Sequence, residues 1–406
     1  MIETELKKLL QGVIEKAFSD AEVPKIEITP AADLRYGDYS TNVAFALGKK
    51  PLEVAQKIVA EINKNSLPEY LAEISVAGPG FINFRLAPVY FKKLLADILR
   101  EGKKFGGNSA YAGQNILVEY TDPNPFKEFH IGHLMPNVIG ESLARLYEYS
   151  GAQVERMSYQ GDVGLHVAKA LYGMLQNKAA MPAESASLSD KTKFLGKAYT
   201  AGSSLYEENE SAKSEIQTIN KKVFSREDAD LNLLYDTGRR WSLEHFEELY
   251  AALGTKFDHY VFESEVATRG MELVRANLGK VFEESDGAIV YKGEKVGLHT
   301  RVFITSEGLP TYEGKEVGLA EKKFSIREWA RSLTVTANEQ NDFFAVTKAA
   351  IAGIFPGIGE RMEHIGHGLL RFSTGKMSSR TGNGITGESL SKDVRELVRE
   401  KMKDNE

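Results

Sequence analysis

Apolar and polar positions along the first hundred residues follow two different spacings. Three segments repeat apolar residues at helical spacing, and the predicted helices are 2–18, 51–63 and 88–100. Segment 25–29 alternates like a strand, and 73–86 is predicted to be a strand pair or one bulged strand around Gly78-Pro79-Gly80. A turn-rich stretch at 101–114 ends this region. Since about a hundred residues is an ordinary domain size, we predict a small α+β domain over residues 1–105.

From Asn115 onward, short β-branched runs alternate with amphipathic segments. Such alternation through short connections favours an α/β fold with a doubly wound parallel sheet, which we place at residues 106–375. Within it, the charged stretch 180–283 is predicted to be an all-α insertion. The predicted strands are 116–120, 153–159, 287–291, 297–305 and 332–338. Ligands of such sheets bind outside the carboxyl ends of the strands.

Composition narrows the class of protein. The 406 residues carry a formal net charge of −6, so any contact with nucleic acid must use local basic patches. The chain has no cysteine, which excludes disulfides and thiolate zinc sites and favours a cytoplasmic location. The chain begins with acidic residues, Glu3 and Glu5, where a signal peptide is basic, and no apolar run reaches membrane-spanning length. We therefore expect no membrane association.

The stretch NPFKEFHIGHLMP, residues 124–136, places two histidines three apart at the start of a predicted helix. His130 and His133 would lie on one helical face, beside unpaired backbone N–H groups and the positive end of the helix dipole, which suits a phosphate. Gly132 between them removes a side chain, so a flat base could lie against the backbone. A zinc site and ordinary core or surface histidines are the alternatives.

A second constellation, GKMSSRTGNG, occupies residues 375–384. Lys376 and Arg380 enclose two serines within a glycine-rich stretch. Cations and hydroxyls on a loop suit a polyphosphate whose charge is met when the loop closes. The alternative is a basic linker.

Together these residues resemble a class I aminoacyl-tRNA synthetase, whose HIGH and KMSKS motifs correspond to residues 130–133 and 376–380. The closer match is the arginyl-tRNA synthetase family. Five stretches resemble parts of that family in its order: GDYSTNVAFALGK, VEYTDPNPFKEFHIGHL, QGDVG, LPTYEGKEVGLA and GKMSSRTGN. The resemblance implies a Rossmann-like catalytic domain that activates L-arginine with ATP and its Mg²⁺, and then transfers the arginyl group to the 3′ end of tRNA(Arg). No protein-bound metal is implied.

The resemblance also assigns roles around ATP. Ser379 stands where the family usually has the second lysine of KMSKS, and Lys127 is expected to share the charge stabilisation with Lys376. A solvated Lys127 beside Glu128 is the alternative. The implied catalytic residues are Lys127, His130, His133 and Lys376, and the implied ATP-binding residues are His130, Gly132, His133, Gly161, Asp162, Lys376, Ser378 and Arg380.

For arginine, Glu119 and Asn124 match the family positions that hold the α-amino group, and Tyr312 and Glu316 match those that hold the guanidinium. Gln340 matches another polar position of that pocket. A carboxylate can accept two hydrogen bonds from the guanidinium fork, although the family more often has aspartate where this chain has Glu316. Without the family, the pair Tyr312 and Glu316 would be interpreted as exposed neighbours on a helix surface.

The N-terminal domain resembles the family module that contacts the tRNA elbow. Phe81, Asn83 and Phe84 are expected to stack on or hydrogen-bond a splayed base. Alternating phenylalanines in a strand are more often core, which is the alternative.

Family members normally continue past the KMSKS loop into a helical bundle that reads the anticodon. We interpret residues 376–406 as that loop and the start of a truncated helical region. Three explanations stay open: the chain is a fragment, a separate anticodon-binding chain supplies the rest, or the protein acts without that domain. Two other functions stay open: a non-catalytic protein that binds tRNA or arginine, and an adenylate-forming relative with an acceptor other than tRNA.

Overall fold

A computed structural model describes residues 2–18, 22–369 and 387–403 and divides the chain into two compact units, 1–106 and 107–406. Among the described helices, none is long and apolar enough to cross a membrane.

The first unit is a four-stranded antiparallel sheet with helices. Leu6, Leu10 and Ile14 form the buried stripe of its first helix and pack in one core with Phe84 of the sheet. The sheet order is β1-β2-β4-β3. The elements are α1 (Ile2–Ala17), β1 (Thr29–Pro30), β2 (Tyr39–Thr41), α2 (Pro51–Asn63), β3 (Leu71–Ala77), β4 (Phe81–Leu86) and α3 (Pro88–Glu101).

The predicted strand at 25–29 is wrong except for Thr29. Its alternating pattern marks one face for burial, and Ile28 is buried, but alternation does not supply a partner strand for the backbone. The strand that pairs with β1 is β2, which our prediction missed.

The second unit contains the remaining elements. These are β5 (Asn115–Tyr120), α4 (Ile131–Tyr149), β6 (Gln153–Gln160), α5 (Leu165–Gln176), α6 (Leu188–Glu208), α7 (Glu210–Ser225), α8 (Ala229–Leu253), β7 (His259–Phe262), α9 (Glu263–Ala276), β8 (Glu283–Ser285), β9 (Ala288–Tyr291), β10 (Arg301–Ile304), α10 (Tyr312–Ile326), β11 (Arg331–Ala337), α11 (Asn341–Ile354), α12 (Pro356–Gly359), β12 (Met362–His367) and α13 (Gly387–Lys403).

Five strands of this unit form a sheet in the order β12-β11-β5-β6-β7, and every neighbouring pair is parallel. The run Ile116, Leu117 and Val118 on β5 has no exposed surface, as expected for a strand covered on both faces. The chain runs outward from β5 through β6 to β7, and later returns to the other side of β5 through β11 and β12. The predicted α/β fold class is confirmed, and the order reverses at β5 and β11, where a ligand crevice is expected.

The predicted all-α insertion at 180–283 is too long. Helices α6, α7 and α8 fill it only as far as Leu253, and β7 then pairs with β6 in the main sheet. Strands β8, β9 and β10 form a separate antiparallel sheet. A four-residue strand whose partner lies a hundred residues earlier leaves little trace in local periodicity.

Candidate active site

The two histidines of the HIGH-type motif stack at the start of α4. Their ring centroids are 3.9 Å apart with an interplanar angle of 17°. His130 is the N-cap residue, and its Nδ1 accepts a hydrogen bond from the Gly132 backbone N–H at 3.1 Å. The Nδ1 of His133 accepts from the His130 backbone N–H at 3.3 Å. The pair therefore caps the helix with its own side chains, in a reciprocal pattern like a capping box.

Burial and the capping hydrogen bonds together determine how the two imidazole rings are protonated. Burial lowers the pKa of His130, and burial lowers the pKa of His133 well below its usual value, with the Lys127 ammonium adding to both effects. Both rings are therefore neutral near pH 7. Because each Nδ1 accepts a hydrogen bond, the ring proton is assigned to Nε2. Each histidine can offer Nε2–H as a donor to an anion.

The backbone of the connection between β5 and α4 is strained. Thr121, Asp122 and Phe126 have φ values of 80°, 42° and 69°, in a region that β-branched and bulky residues rarely adopt. Tertiary contacts hold the connection. Thr121 Oγ1 accepts from Asn137 of α4 at 2.9 Å, and the Phe126 backbone N–H donates to Ser242 of α8 at 2.9 Å. Such strain is concentrated at functional sites in proteins.

The turn QGDVG follows β6, next to this connection. A Cβ on Gly161 would lie 2.3 Å from Asn124 Oδ1, so the glycine leaves room for the Asn124 side chain. His166 contacts the Gly161 carbonyl through Nε2 at 2.8 Å. Asn124, which the resemblance assigns to arginine, and Gly161, which it assigns to ATP, are therefore in direct contact.

Asp162, implied as an ATP-binding residue, is buried and engaged within the protein. Its carboxylate accepts from Tyr235 and Arg239 of α8, each at 3.0 Å. It also accepts from the backbone N–H of Ser264 at 2.9 Å and from its hydroxyl at 2.8 Å. This carboxylate therefore ties the helical insertion and α9 to the QGDVG turn. Its role toward ATP stays a prediction.

An acidic cluster, which we define as Glu119, Asp122, Glu263 and Glu316, lies at the same edge of the sheet. Glu119, Glu263 and Glu316 are 1, 3 and 6% exposed. Lys323 of α10 lies 2.7 Å from Glu119, and Lys315 lies 2.5 Å from Glu263. Both lysines are buried as well.

The two lysines leave part of the cluster without a cation. Glu316 makes no hydrogen bond or ion pair with any residue that the structure describes. Burial, together with the Glu119 carboxylate, raises the pKa of Glu316 to about 8. The same two causes raise the pKa of Asp122 well above its usual value. A buried site with surplus carboxyls favours a cationic ligand.

Three other residues assigned by the resemblance lie within the described part of the chain. Tyr312 begins α10, one turn before Glu316, and is 56% exposed. Gln340 is exposed at the N-cap position of α11, just after β11. Lys127 places its ammonium 5.1 Å from the ring centroid of Tyr199 in the helical insertion. Lys376, Ser378 and Arg380 lie outside the described residues.

The described chain that resumes at Gly387 is hydrogen-bonded next to the histidine motif. The Gly387 backbone N–H donates to the carbonyl of Phe129 at 2.9 Å, immediately before His130. On the other side of the loop, β12 ends at His367, at the carboxyl edge of the sheet. The residues on either side of the KMSKS-type segment therefore both lie at the edge that carries the histidines.

In the N-terminal unit, the three residues predicted to contact tRNA differ in exposure. Phe84 and Asn83 are buried, as the alternative of a core strand expects. Phe81 is exposed and its ring lies 5.1 Å from that of Phe45, which is exposed too. Of the three, only Phe81 presents its side chain at the surface, and its contact with tRNA stays a prediction.

Comparison with known protein families shows which family this chain belongs to. Residues 94–406 match the family described as tRNA synthetases class I (R), catalytic domain, and residues 4–86 match the arginyl tRNA synthetase N terminal domain. The chain belongs to the arginyl-tRNA synthetase family. The predicted resemblance is confirmed.

Individual arginyl-tRNA synthetases agree with this assignment. The chain is 28% identical to the arginine–tRNA ligase of Fusobacterium nucleatum over 399 residues, covering 95% of this chain and 67% of that one. It is 25% identical to the enzyme of Treponema denticola over 358 residues, covering 87% of this chain and 60% of that one. The chain therefore spans about two thirds or less of the length of these relatives.

Solved structures of arginyl-tRNA synthetases share the fold. The Thermus thermophilus enzyme superposes with a TM-score of 0.65 at 23% identity, covering 99% of this chain and 71% of that one. The Plasmodium falciparum enzyme superposes with a TM-score of 0.61 at 22% identity, covering 90% and 65%.

Four site residues were not singled out from the sequence: Asp122, Glu263, Lys315 and Lys323. Lys323 lies two helical turns after Glu316, so helical spacing could have placed it on the same face of α10. Lys315, next to Glu316 in the sequence, is directed at Glu263 by the packing of α10 on α9. Glu263 carries no local signal, because its role arises from the contact between these helices.

Proposed function

We propose that this chain binds ATP and L-arginine, joins them as arginyl-adenylate with release of pyrophosphate, and transfers the arginyl group to the 3′ end of tRNA(Arg). One observation carries the proposal: a neutral histidine pair at a helix start and a cation-deficient carboxyl cluster lie at the same edge of one parallel sheet.

The histidines suit the phosphate chain of ATP. Two Nε2–H donors and the start of α4 face the same anion, and the Lys127 ammonium adds positive charge near both rings. Magnesium would enter with the nucleotide. No protein nucleophile is needed, because the arginine carboxylate itself attacks the α-phosphorus. The protein contributes positioning and stabilises the charge that develops on the phosphates.

The acidic cluster suits the two cationic groups of arginine. Glu119, near the end of β5, and Asn124, in the connection after it, are assigned to the α-amino group, and Glu316 on α10 is assigned to the guanidinium. Lys376, Ser378 and Arg380 are assigned to the phosphates, and the hydrogen bond from Gly387, which follows them in the chain, to Phe129 supports this assignment. Phe81 and the N-terminal unit are assigned to tRNA.

The test is ATP–pyrophosphate exchange with arginine, run with and without tRNA(Arg). Exchange that appears only with tRNA supports a competent site that the tRNA completes. A matched pair of variants, His133→Asn in the site and His299→Asn outside the histidine motif, controls for loss of folding. If wild-type protein binds neither ATP nor arginine in calorimetry, the proposal fails. If it binds both but shows no exchange under either condition, the non-catalytic alternative is favoured.

A further inference from the structure

Tyr159 is the residue before the last one of β6, beside the acidic cluster, and its hydroxyl has no assigned role. The residue is 9% exposed. Its backbone N–H donates to Asp122 at 2.7 Å, which fixes the main chain next to the strained connection. Its hydroxyl, in contrast, is fully covered and has no hydrogen-bond partner among the described residues.

Carboxylates lie near this hydroxyl. Glu263 and Glu316 interact with it electrostatically, followed by Glu119. Burial, reinforced by these charges, raises the pKa of Tyr159 well above its usual value, so the hydroxyl remains neutral. A buried hydroxyl without a partner costs stability, and protein interiors rarely leave one in place without a reason.

The charges around the hydroxyl determine which ligand would satisfy it. Lys315 is paired with Glu263 and Lys323 with Glu119. Among the described residues of the cluster, this leaves the carboxyls of Glu316 and Asp122 without a lysine. Asp122 already accepts the backbone N–H of Tyr159, so we take Glu316 as the carboxyl that receives a new cation. A guanidinium has five N–H donors and no acceptor. A single carboxylate can take two of them, which leaves donors for a neutral oxygen on another side.

We propose that the Tyr159 hydroxyl is a specificity-determining group that accepts a hydrogen bond from the guanidinium of the bound arginine while Glu316 accepts from its other N–H groups. This inference rests on the proposed function, because it takes arginine to be the ligand. The guanidinium enters past Tyr312, which is exposed one turn before Glu316 on α10.

The experiment compares L-arginine binding, by calorimetry at pH 8, for the wild type, Tyr159→Phe and Tyr250→Phe. Tyr250 is the matched control because its hydroxyl is also buried, near Ser158, while its ring packs on Phe257. Phenylalanine removes only the hydroxyl at either position. We expect arginine to bind Tyr159→Phe roughly 10- to 100-fold more weakly, the range for losing a hydrogen bond to a charged group. ATP binding should be unchanged.

The possible results distinguish failure of the Tyr159 role from failure of the proposed function. Equal arginine affinity in Tyr159→Phe and wild type overturns the role of the hydroxyl and leaves the proposed function intact. An equal loss in Tyr250→Phe also overturns it, since the effect would then come from general loosening of the fold. Failure of the wild type to bind arginine overturns the proposed function itself, together with this inference.

Discussion

Lys323 lies 2.7 Å from Glu119, and the two side chains are 0 and 1% exposed. Burial alone would lower the pKa of Lys323, but the carboxylates of Glu119 and Glu316 outweigh it and raise that pKa. The lysine therefore stays charged. This ion pair joins α10 to β5, the central strand of the main sheet, and holds Glu119 at the position assigned to the α-amino group of arginine.

Replacing Lys323 with methionine should destabilise the protein strongly. Glu119 would be left buried without a cation, and breaking a buried pair on one side typically costs about 3–5 kcal/mol. Urea unfolding measures the free energy change. Lys322→Met, the same substitution at the exposed neighbouring position, is the control. The double variant Glu119→Gln/Lys323→Met should recover much of the stability, and failure to recover it would contradict a purely electrostatic cost.

The affinity for arginine should rise with pH up to about 8. The raised pKa of Glu316, about 8, means that this carboxyl is protonated in the free protein below that value. A guanidinium requires the ionised form, so binding releases a proton and the affinity rises by up to about tenfold per pH unit below pH 8. Calorimetry in buffers with different ionisation enthalpies counts the released protons. Affinity that is constant between pH 6 and 8 would refute this linkage.

The Glu316 carboxyl should also make the stability of the fold depend on pH. Its pKa in the folded protein is raised above the unfolded value of 4.5, so the folded state binds more protons between pH 4.5 and about 8. The contribution of Glu316 to the free energy of unfolding therefore decreases as pH rises through this window. Glu316→Gln should remove both this decrease and the pH dependence of arginine binding. Thermal unfolding of the two proteins at pH 6 and 8 measures the difference.

Substitutions of His133 should separate capping from catalysis. Asparagine places an acceptor near the position of Nδ1 and can keep the hydrogen bond from the His130 N–H, but it lacks the Nε2–H donor. We expect His133→Asn to fold normally and to lose exchange activity by roughly 10²- to 10³-fold. His133→Ala should lose both properties, with a cap cost of about 0.5–2 kcal/mol. Wild-type exchange in His133→Asn would rule out the donor role.

Adding a methyl group at Gly161 should disturb the arginine site. The new Cβ would meet Asn124 Oδ1 at 2.3 Å, so the Asn124 side chain must move. Because Asn124 is assigned to the α-amino group, Gly161→Ala should weaken arginine binding by roughly tenfold or more. Gly12→Ala is the control, since nothing lies within 4 Å of its added methyl. If Gly161→Ala binds ATP poorly and arginine normally, the glycine serves the nucleotide instead.

The parallel α/β core, the histidine motif and the resemblance to the family could all be predicted from the sequence. Apolar runs such as 116–118 identify strands covered on both faces, and motifs such as 130–133 are contiguous, so local order is enough to find them. The same reasoning extended the helical insertion too far, because β7 is a strand only through its pairing with β6.

Which charged side chains pair with one another depends on the tertiary structure. Lys323 reaches Glu119 across about two hundred residues, and Asp162 is occupied by partners on α8 and α9. Packing buries Glu316 beside two carboxylates that are already paired with lysines, so no described lysine is left to pair with it. Burial and pairing depend on how helices and strands are brought together in space, and the spacing of residues along the chain carries no direct record of that.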